Sequence, residues 1–123
     1  HPKELEVTLK TAMKMDFRKV WAIFQPFTYS RTHNLFNDFA EVLKIPDHCI
    51  MTEIMAGREV NTYDIYTSQL AEKIPGSIWF NTFEEVAKYA VDNAKAGDLI
   101  ITLGCGDIYK AAKIIINKVR ERQ

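Results

Sequence analysis

The segment "QPFTYSRT" (residues 25–32) combines residue types that bind carboxylates and phosphates. Its Arg31 stands at the start of a helical pattern, where a cation opposes the helix dipole. This placement becomes favourable if the planar guanidinium binds a carboxylate or a phosphate, which its geometry suits. We therefore predict that Arg31 binds an anion; a solvated surface arginine is the alternative. Ser30 is predicted to cap the helix, and Tyr29 either lines the site or packs on the sheet edge.

A second candidate segment is "GCGD", which follows an apolar run and precedes a helical pattern. The backbone N–H groups of Gly104 and Gly106, at the start of a helix, are suited to bind an anion. The alternative is that both glycines only permit a tight turn and close packing. Asp107 is interpreted as a helix cap, since partners for a metal site are not apparent. Arg58 is either a site residue or, as we favour, the partner of Glu59 in a loop ion pair.

The other reactive side chains form no recognised catalytic or metal-binding arrangement. Cys49 and Cys105 each lie in an apolar run and are predicted to be buried free thiols. No Cys/His spacing resembles a zinc site, and no Ser-His-Asp or HExxH arrangement occurs. His33 and His48 are interpreted as a surface residue and a loop residue. We therefore predict no catalytic residue and no metal site in this chain alone.

The composition argues against two classes of partner. The chain has 123 residues, with 16 Lys and Arg and 16 Asp and Glu. Because nucleic-acid-binding and membrane-surface proteins usually carry a basic excess, this balance argues against both roles. The length is that of one domain, and 47% hydrophobic residues predict a globular fold. The sequence contains neither a signal peptide nor an apolar stretch of ~20 residues, so a cytoplasmic location is expected.

Hydrophobic periodicity predicts the elements that position the candidate segments. Helical patterns precede the first strand and follow every strand, and Thr82 with Glu85 forms a capping-box pattern before one of these helices. Because helices join the strands, the strands are expected to run parallel with right-handed crossovers. Four short apolar runs are the predicted strands: residues 20–24, 49–54, 77–80 and 99–103.

The predicted fold is a three-layer, Rossmann-like α/β sandwich, in which a doubly wound, mostly parallel sheet carries helices on both faces. Residues 1–123 are predicted to form a single domain. Ligands of such sheets bind beyond the carboxyl ends of the strands. The loops after strands one, two and four, which carry Arg31, Arg58 and the "GCGD" turn, are therefore expected on one rim.

Four segments in order, "HPKELEVTLKTA", "VWAIFQPFTYSRTHNLFNDFAEVL", "EIMAGREVNT" and "DLIITLGCGDIYKAA", resemble the C-terminal domain of the Mur ligases. The resemblance covers essentially the whole chain. The QP-x-x-YSRT pattern is similar to that of the members that join L-alanine to UDP-N-acetylmuramate. Two alternatives are kept: a member that recycles muropeptides, and a free-standing Rossmann-like module that binds a small molecule.

The resemblance implies a three-domain, ATP- and Mg²⁺-dependent cytoplasmic ligase of peptidoglycan synthesis, with this chain as its amino-acid-binding domain. In that family ATP phosphorylates the muramoyl carboxylate, and the amine of L-alanine attacks the acyl phosphate to form an amide. The central domain mainly holds ATP and Mg²⁺, and the N-terminal domain holds the UDP-sugar. The isolated C-terminal domain is therefore expected to be inactive.

The same resemblance assigns expected roles to the loop after the first strand. Arg31 is expected to hold the carboxylate of L-alanine, with Tyr29 and Ser30 in the same loop. Some members have His-Arg where this chain has Phe27-Thr28. A second carboxylate-binding arginine is therefore not expected here.

The resemblance also extends to the rim and to the first residues of the chain. His1 and Pro2 match the end of a His-His-Pro pattern and are expected at the junction with the preceding domain. Four further residues are expected to face the amino acid or the nucleotide: Gly104, Gly106, Asp107 and Arg58.

Overall fold

The computed structural model describes residues 1–122, which form an alternating series of helices and strands. No helix among these residues is long and apolar enough to cross a lipid bilayer. In chain order the elements are α1 (Pro2–Lys14), β1 (Val20–Phe24), α2 (Tyr29–Asn34), α3 (Phe36–Val42), β2 (His48–Thr52), α4 (Thr67–Glu72), β3 (Ile78–Phe80), α5 (Phe83–Asn93), β4 (Leu99–Leu103) and α6 (Tyr109–Glu121).

The four strands form one parallel sheet in the order β3-β2-β1-β4. In the centre of the sheet, Ala22 of β1 pairs with Cys49 of β2 and with Ile101 of β4. The chain therefore moves outward from β1 through β2 to β3, and then crosses to the other side of β1 to form β4. This arrangement confirms the predicted doubly wound α/β sandwich.

The side chains of β1 divide the core into two layers, because neighbouring residues of a strand face opposite sides of the sheet. Ala22 and Phe24 pack with residues of α1, α3 and α4, whereas Trp21 and Ile23 pack with residues of α5 and α6. All five residues of β1 are buried. Burial on both faces explains why β1 is a continuous apolar run and has no polar alternation.

The predicted bounds of β1 and β4 are confirmed, but those of β2 and β3 are partly wrong. Strand β2 begins at His48, which was interpreted as a loop residue, and ends at Thr52. The His48 imidazole stacks on the Trp21 indole with 4.0 Å between ring centroids, and this contact holds a polar residue within the strand. Strand β3 begins at Ile78, one residue later than predicted.

The helical pattern after β1 forms two helices rather than one. Leu35 has φ −112° and ψ 21°, which separates α2 from α3. The apolar residues of this pattern recur at helical spacing and form a stripe: Leu35, Phe36, Phe39, Ala40 and Leu43. Phe39 and Leu43 of this stripe are buried against the sheet. The break changes the direction of the chain between the candidate segment and the core-packing part of the helix.

A hydrogen-bonded cluster around Asp98 joins β1 to β4 at the amino end of the sheet. The Asp98 carboxylate accepts hydrogen bonds from the Arg18 guanidinium at 2.7 and 2.9 Å, from the Trp21 indole N–H at 2.9 Å and from the Lys95 backbone N–H at 2.9 Å. These donors, led by Arg18, hold the pKa of the Asp98 carboxyl far below its usual range. The cluster lies at the opposite end of the sheet from the rim.

Candidate functional site

The candidate site is a cavity at the carboxyl ends of β1 and β4, where the strand order reverses. Because the chain leaves β1 towards β2 and returns as β4 on the other side, a crevice forms between the two strand ends. The cavity has a volume of about 220 Å³. Its apolar walls include Leu5, Phe24, Phe39 and Leu103, and its polar walls include His1, Glu4, Gln25 and Arg31.

Arg31 is the third residue of the short helix α2 and lines the cavity. Its guanidinium carbon is 5.5 Å from the centroid of the Phe27 ring, within the range of a cation–π contact. Within residues 1–122, no Asp or Glu oxygen lies within 4.0 Å of the guanidinium nitrogens. The Phe27 face therefore orients the guanidinium without neutralising it, which leaves the charge available to an anionic ligand.

Thr28, not Ser30, caps α2, so the predicted cap is wrong. The Thr28 hydroxyl oxygen accepts a hydrogen bond from the Arg31 backbone N–H at 3.3 Å. Thr28 has φ 63° and ψ 148°, a backbone conformation that glycine adopts far more readily than threonine. The conformation is held by the neighbouring loop, because the Thr28 N–H donates to the Met55 carbonyl at 2.8 Å.

Ser30 is bound by Glu59 of the loop between β2 and α4. The Glu59 carboxylate accepts from the Ser30 backbone N–H at 2.8 Å and from the Ser30 hydroxyl through its second oxygen. These two hydrogen bonds hold the pKa of Glu59 below its usual value, with a smaller contribution from the Arg31 charge. The expected Arg58–Glu59 ion pair is wrong, since both Glu59 oxygens bind Ser30.

The loop between β2 and α4 is joined to the start of α2 at several points. Phe27 and Met55 form an isolated parallel bridge, which extends the β1–β2 pairing beyond the strands. Farther along, the His33 and Tyr63 rings stack with 4.8 Å between centroids. His33 is exposed, as predicted. The Arg31 segment and the loop that carries Arg58 therefore lie on one rim, as expected.

Close packing against Gln25 explains both glycines of the "GCGD" turn. A Cβ atom on Gly104 would lie 3.0 Å from the Gln25 carbonyl oxygen, and one on Gly106 would lie 2.8 Å from the Gln25 amide oxygen. Gly104 also lines the cavity that Arg31 lines. The distances support a packing role for both glycines. That the glycines also contact an anion stays a prediction.

Asp107 follows the glycines but does not cap α6, so that interpretation is wrong. Helix α6 begins after Ile108 without a side-chain cap. The Asp107 carboxylate instead accepts from the Gln25 amide at 3.4 Å and from the Lys110 ammonium at 3.4 Å. Despite partial desolvation, these donors lower the pKa of Asp107. The carboxylate thus connects the end of β1 to the turn after β4.

The two cysteines differ in exposure, and the prediction of two buried thiols is half right. Cys49 is 5% exposed within the core, and burial raises the pKa of its thiol to about 12. Cys105 is exposed and lines the cavity. It is exposed because it follows the apolar residues of β4 at the point where the chain turns over the rim.

Of the remaining predicted site residues, His1 lines the cavity, whereas Tyr29, Arg58 and Pro2 are not among its lining residues. Tyr29 is half-buried at the start of α2, and Arg58 is exposed in the loop after β2. His1 lines the cavity and caps α1, since its Nδ1 accepts from the Lys3 N–H at 3.2 Å, and the buried Pro2 begins that helix. Their roles in ligand binding or at a domain junction stay predictions.

Three residues of the cavity were not selected from the sequence as ligand-facing. Glu4 is explained by the helix dipole alone, and only the folded chain shows that it lines the cavity. Gln25 directly follows the predicted first strand, and its side chain is buried with an amide oxygen that lacks a partner within residues 1–122. Phe27 was noted only for its difference from related sequences. Its position four residues before Arg31, in the same rim segment, was the available signal.

The charged groups of this part of the chain do not form a metal-binding cluster. Within residues 1–122, no group of three or more His, Cys, Asp or Glu side chains is placed to hold a metal ion. What the cavity offers is an uncompensated guanidinium above an apolar floor. This arrangement suits a small carboxylate whose remaining part is apolar.

Comparison with known proteins finds a family and several relatives that this chain resembles. The family described as "Mur ligase, glutamate ligase domain" matches residues 1–106. The chain is 41% identical over 120 residues to a UDP-N-acetylmuramate–L-alanine ligase of Lachnospira eligens, and 43% identical over 122 residues to one of Caldicellulosiruptor bescii. These matches cover 94% and 96% of this chain, but the chain spans only about a quarter of each relative, 26% and 27%.

A solved structure shows the same fold. It is a domain from a putative UDP-N-acetylmuramate:L-alanyl-gamma-D-glutamyl-medo-diaminopimelate ligase of Haemophilus ducreyi, with a TM-score of 0.69. The match covers 95% of this chain and 83% of that one. At 18% identity, the likeness extends to the fold alone.

Proposed function

Because the chain belongs to the Mur ligase C-terminal (glutamate ligase) domain family, we propose that it is the amino-acid-binding domain of a UDP-N-acetylmuramate–L-alanine ligase. The whole enzyme would join L-alanine to UDP-N-acetylmuramate at the expense of ATP, in the cytoplasm, as a step of peptidoglycan synthesis. The names of relatives at about 40% identity support the alanine-adding reaction. A muropeptide-recycling ligase is less well supported. The Haemophilus ducreyi structure, whose name pairs UDP-N-acetylmuramate with a peptide, resembles this chain in fold alone.

The observation that carries the proposal is the unneutralised Arg31 in the wall of the rim cavity. A cavity of about 220 Å³ with an apolar floor has room for an amino acid of the size of alanine. The guanidinium binds the carboxylate of the amino acid. Tyr29 and Ser30 lie next to Arg31 at the start of α2. The Ser30–Glu59 hydrogen bonds keep this part of the helix in place.

The contribution of these residues to the reaction is to position the amine. When the carboxylate is bound to Arg31, the nitrogen of the amino acid has a restricted set of positions relative to the rim. Fixing the reacting groups in this way is worth up to ~7–11 kcal/mol of the barrier in well-oriented systems. Closure of the other domains over the apolar walls from Phe24, Phe39 and Leu103 would exclude water, which would protect an acyl phosphate from hydrolysis.

ATP and Mg²⁺ would be held mainly by a central domain outside this chain. ATP supplies the phosphoryl group that activates the muramoyl carboxylate, and Mg²⁺ screens the charge of its phosphates. The residues that would approach the nucleotide from this chain are those of the turn after β4 and the loop after β2: Gly104, Gly106, Asp107 and Arg58. His1 and Pro2 would lie at the domain junction, where α1 begins.

A phosphate-release assay tests the proposal. We expect the full-length protein to release phosphate only when ATP, Mg²⁺, UDP-N-acetylmuramate and L-alanine are all present. Residues 1–123 alone are expected to give no release above background. If the full-length protein releases phosphate with a muropeptide but not with L-alanine, the recycling reaction replaces the proposed one.

Replacement of Arg31 tests the site. Arg31→Ala should raise the KM for L-alanine roughly 10- to 150-fold, because a charge-assisted hydrogen bond contributes about 1.5–3 kcal/mol. The KM values for ATP and UDP-N-acetylmuramate should stay close to those of the parent. Arg120→Ala, which removes an exposed arginine near the end of α6, is the matched control. An unchanged KM for L-alanine in Arg31→Ala would exclude Arg31 from the amino-acid site.

A further inference from the structure

A second charged side chain, Glu4, faces the same cavity as Arg31. Glu4 lies in the first turn of α1, whereas Arg31 comes from α2, so two separate elements bring them together. Within residues 1–122, neither side chain has an oppositely charged group within 4.0 Å. An anion and a cation thus line one cavity without pairing with each other.

The nearest alternative partner of Arg31 is already occupied. Glu59 lies close enough for its pKa to be lowered slightly by the Arg31 charge, but both of its oxygens bind Ser30. Arg31 is therefore not neutralised by the loop after β2. The space between Arg31 and Glu4 has to be filled by a ligand or by water.

The floor between the two charges is apolar. Phe24 and Phe39 are buried, and Leu5 and Leu103 pack against the same cluster and line the cavity. The side chains of Glu4 and Arg31 themselves are exposed. A ligand that carries one negative group, one positive group and a small apolar part would complement these walls.

We propose that the cavity binds the zwitterion of the incoming α-amino acid, with its carboxylate on Arg31 and its ammonium on Glu4. This inference rests on the proposed function, and it adds Glu4 as a binding residue for the amine. The small apolar side chain then lies over Phe24 and Leu103. Glu4 holds the nitrogen at one point of the rim before the attacking amine is formed, which limits the positions from which it approaches the acyl phosphate.

The alternative is that Glu4 only stabilises α1 through the helix dipole. A carboxylate in the first turn of a helix is favourable without any ligand. Glu6 offers a matched control, since it lies on the same helix and pairs with Lys10 at 3.4 Å, one turn along the chain. Loss of either carboxylate changes the charge of α1 equally, whereas only Glu4 lines the Arg31 cavity.

The experiment compares Glu4→Gln and Glu6→Gln in the full-length protein, with two ligands. The first readout is the KM for L-alanine. The second is the inhibition constant of propionate, which is L-alanine without its ammonium group. We expect Glu4→Gln to raise the KM for L-alanine about 10-fold or more, with the propionate inhibition constant and the KM for ATP unchanged. Glu6→Gln should leave all three values close to the parent.

Three results would overturn the inference. An unchanged KM for L-alanine in Glu4→Gln would show that Glu4 does not contact the amine. Equal weakening of L-alanine and propionate would show that Glu4 only shapes the cavity. Absence of propionate inhibition in the parent would show that the carboxylate is not held independently. Failure of the proposed function is distinguishable, because the parent protein would then show no turnover that depends on L-alanine.

Discussion

The backbone of Thr28 stores strain that substitutions can measure. A residue other than glycine in this region of φ and ψ costs about 1–3 kcal/mol, and Thr28 has φ 63° and ψ 148° directly before the Arg31 helix. Thr28→Ala keeps this conformation and loses the hydroxyl cap, so its free energy of unfolding should fall by about 0.5–2 kcal/mol. Thr28→Gly loses the same cap but relieves the strain.

A second N-cap threonine provides the reference for this comparison. Thr82 caps α5, accepts from the Glu85 N–H at 3.1 Å, and has an ordinary φ of −126°. At Thr82, the difference in free energy of unfolding between the Gly and Ala variants reflects chain entropy and capping only, because the backbone there has no strain from a positive φ. We expect the Gly variant to exceed the Ala variant in stability by about 1–3 kcal/mol more at Thr28 than at Thr82.

Urea unfolding of residues 1–123, followed by far-UV circular dichroism, gives the four free energies by linear extrapolation. The reasoning is refuted if the Gly–Ala difference at Thr28 is no larger than that at Thr82. The same variants in the full-length protein connect strain to function. Because flexibility at Thr28 loosens the position of Arg31, Thr28→Gly should raise the KM for L-alanine while stability is kept.

Two further predictions concern the contacts of the rim. Gly106→Ala should lower the free energy of unfolding by about 1–3 kcal/mol, because its Cβ would lie 2.8 Å from the buried Gln25 amide oxygen and 3.1 Å from Met55 Cγ. Urea unfolding measures this loss. A smaller loss in a Gln25→Ala background would identify Gln25 as the cause. Since the hydrogen bonds from Ser30 lower the pKa of Glu59 in the folded state, they contribute stability that is present above the unfolded pKa of about 4.5 and is lost as the pH falls through the folded pKa. On going from neutral to acid pH, the Ser30→Ala and Glu59→Gln variants should therefore lose less free energy of unfolding than the parent. If the free energy of unfolding falls with pH equally in the parent and in both variants, this assignment is contradicted.

The strands were predictable where the sequence holds a compact, largely apolar run. Val20–Phe24 is buried inside the sheet, Leu99–Leu103 is the half-buried edge strand beside it, and both were predicted to the residue. The start of β2 was not predictable, because His48 is polar and its place in the strand depends on stacking with Trp21. That contact joins residues from two strands and has no signal in the local pattern.

The helix break at Leu35 and the cap at Thr28 show why the details of the site were harder to predict. Leu35 continues the apolar periodicity of the stripe, so the pattern hides the change of direction. Ser30 has a residue type suited to an N-cap, but Glu59, 29 residues away in sequence, binds its hydroxyl and N–H. A positive φ at threonine is not expected from its residue type, and here the loop after β2 imposes it.

Arg31 could be selected from the sequence because its position at a helix start is unfavourable without a ligand. Glu4 could not be selected in the same way, since its position is favourable for helix stability whether or not it binds anything. Residues whose local role is already satisfied carry no visible sign of a second role. Only the packing of α1 beside the end of β1 brings Glu4 to the cavity.

The Asp98 cluster gives the chain an optical probe far from the cavity. Trp21 is 4% exposed, its ring stacks on His48, and its N–H is bound to Asp98. Indole emission depends on the polarity of the surroundings and on contacts with neighbouring rings. Trp21 lies roughly 10 Å along β1 from Phe24 at the cavity floor. With Trp79 replaced by Phe, the remaining fluorescence should therefore report unfolding of the sheet while staying constant when a ligand occupies the rim.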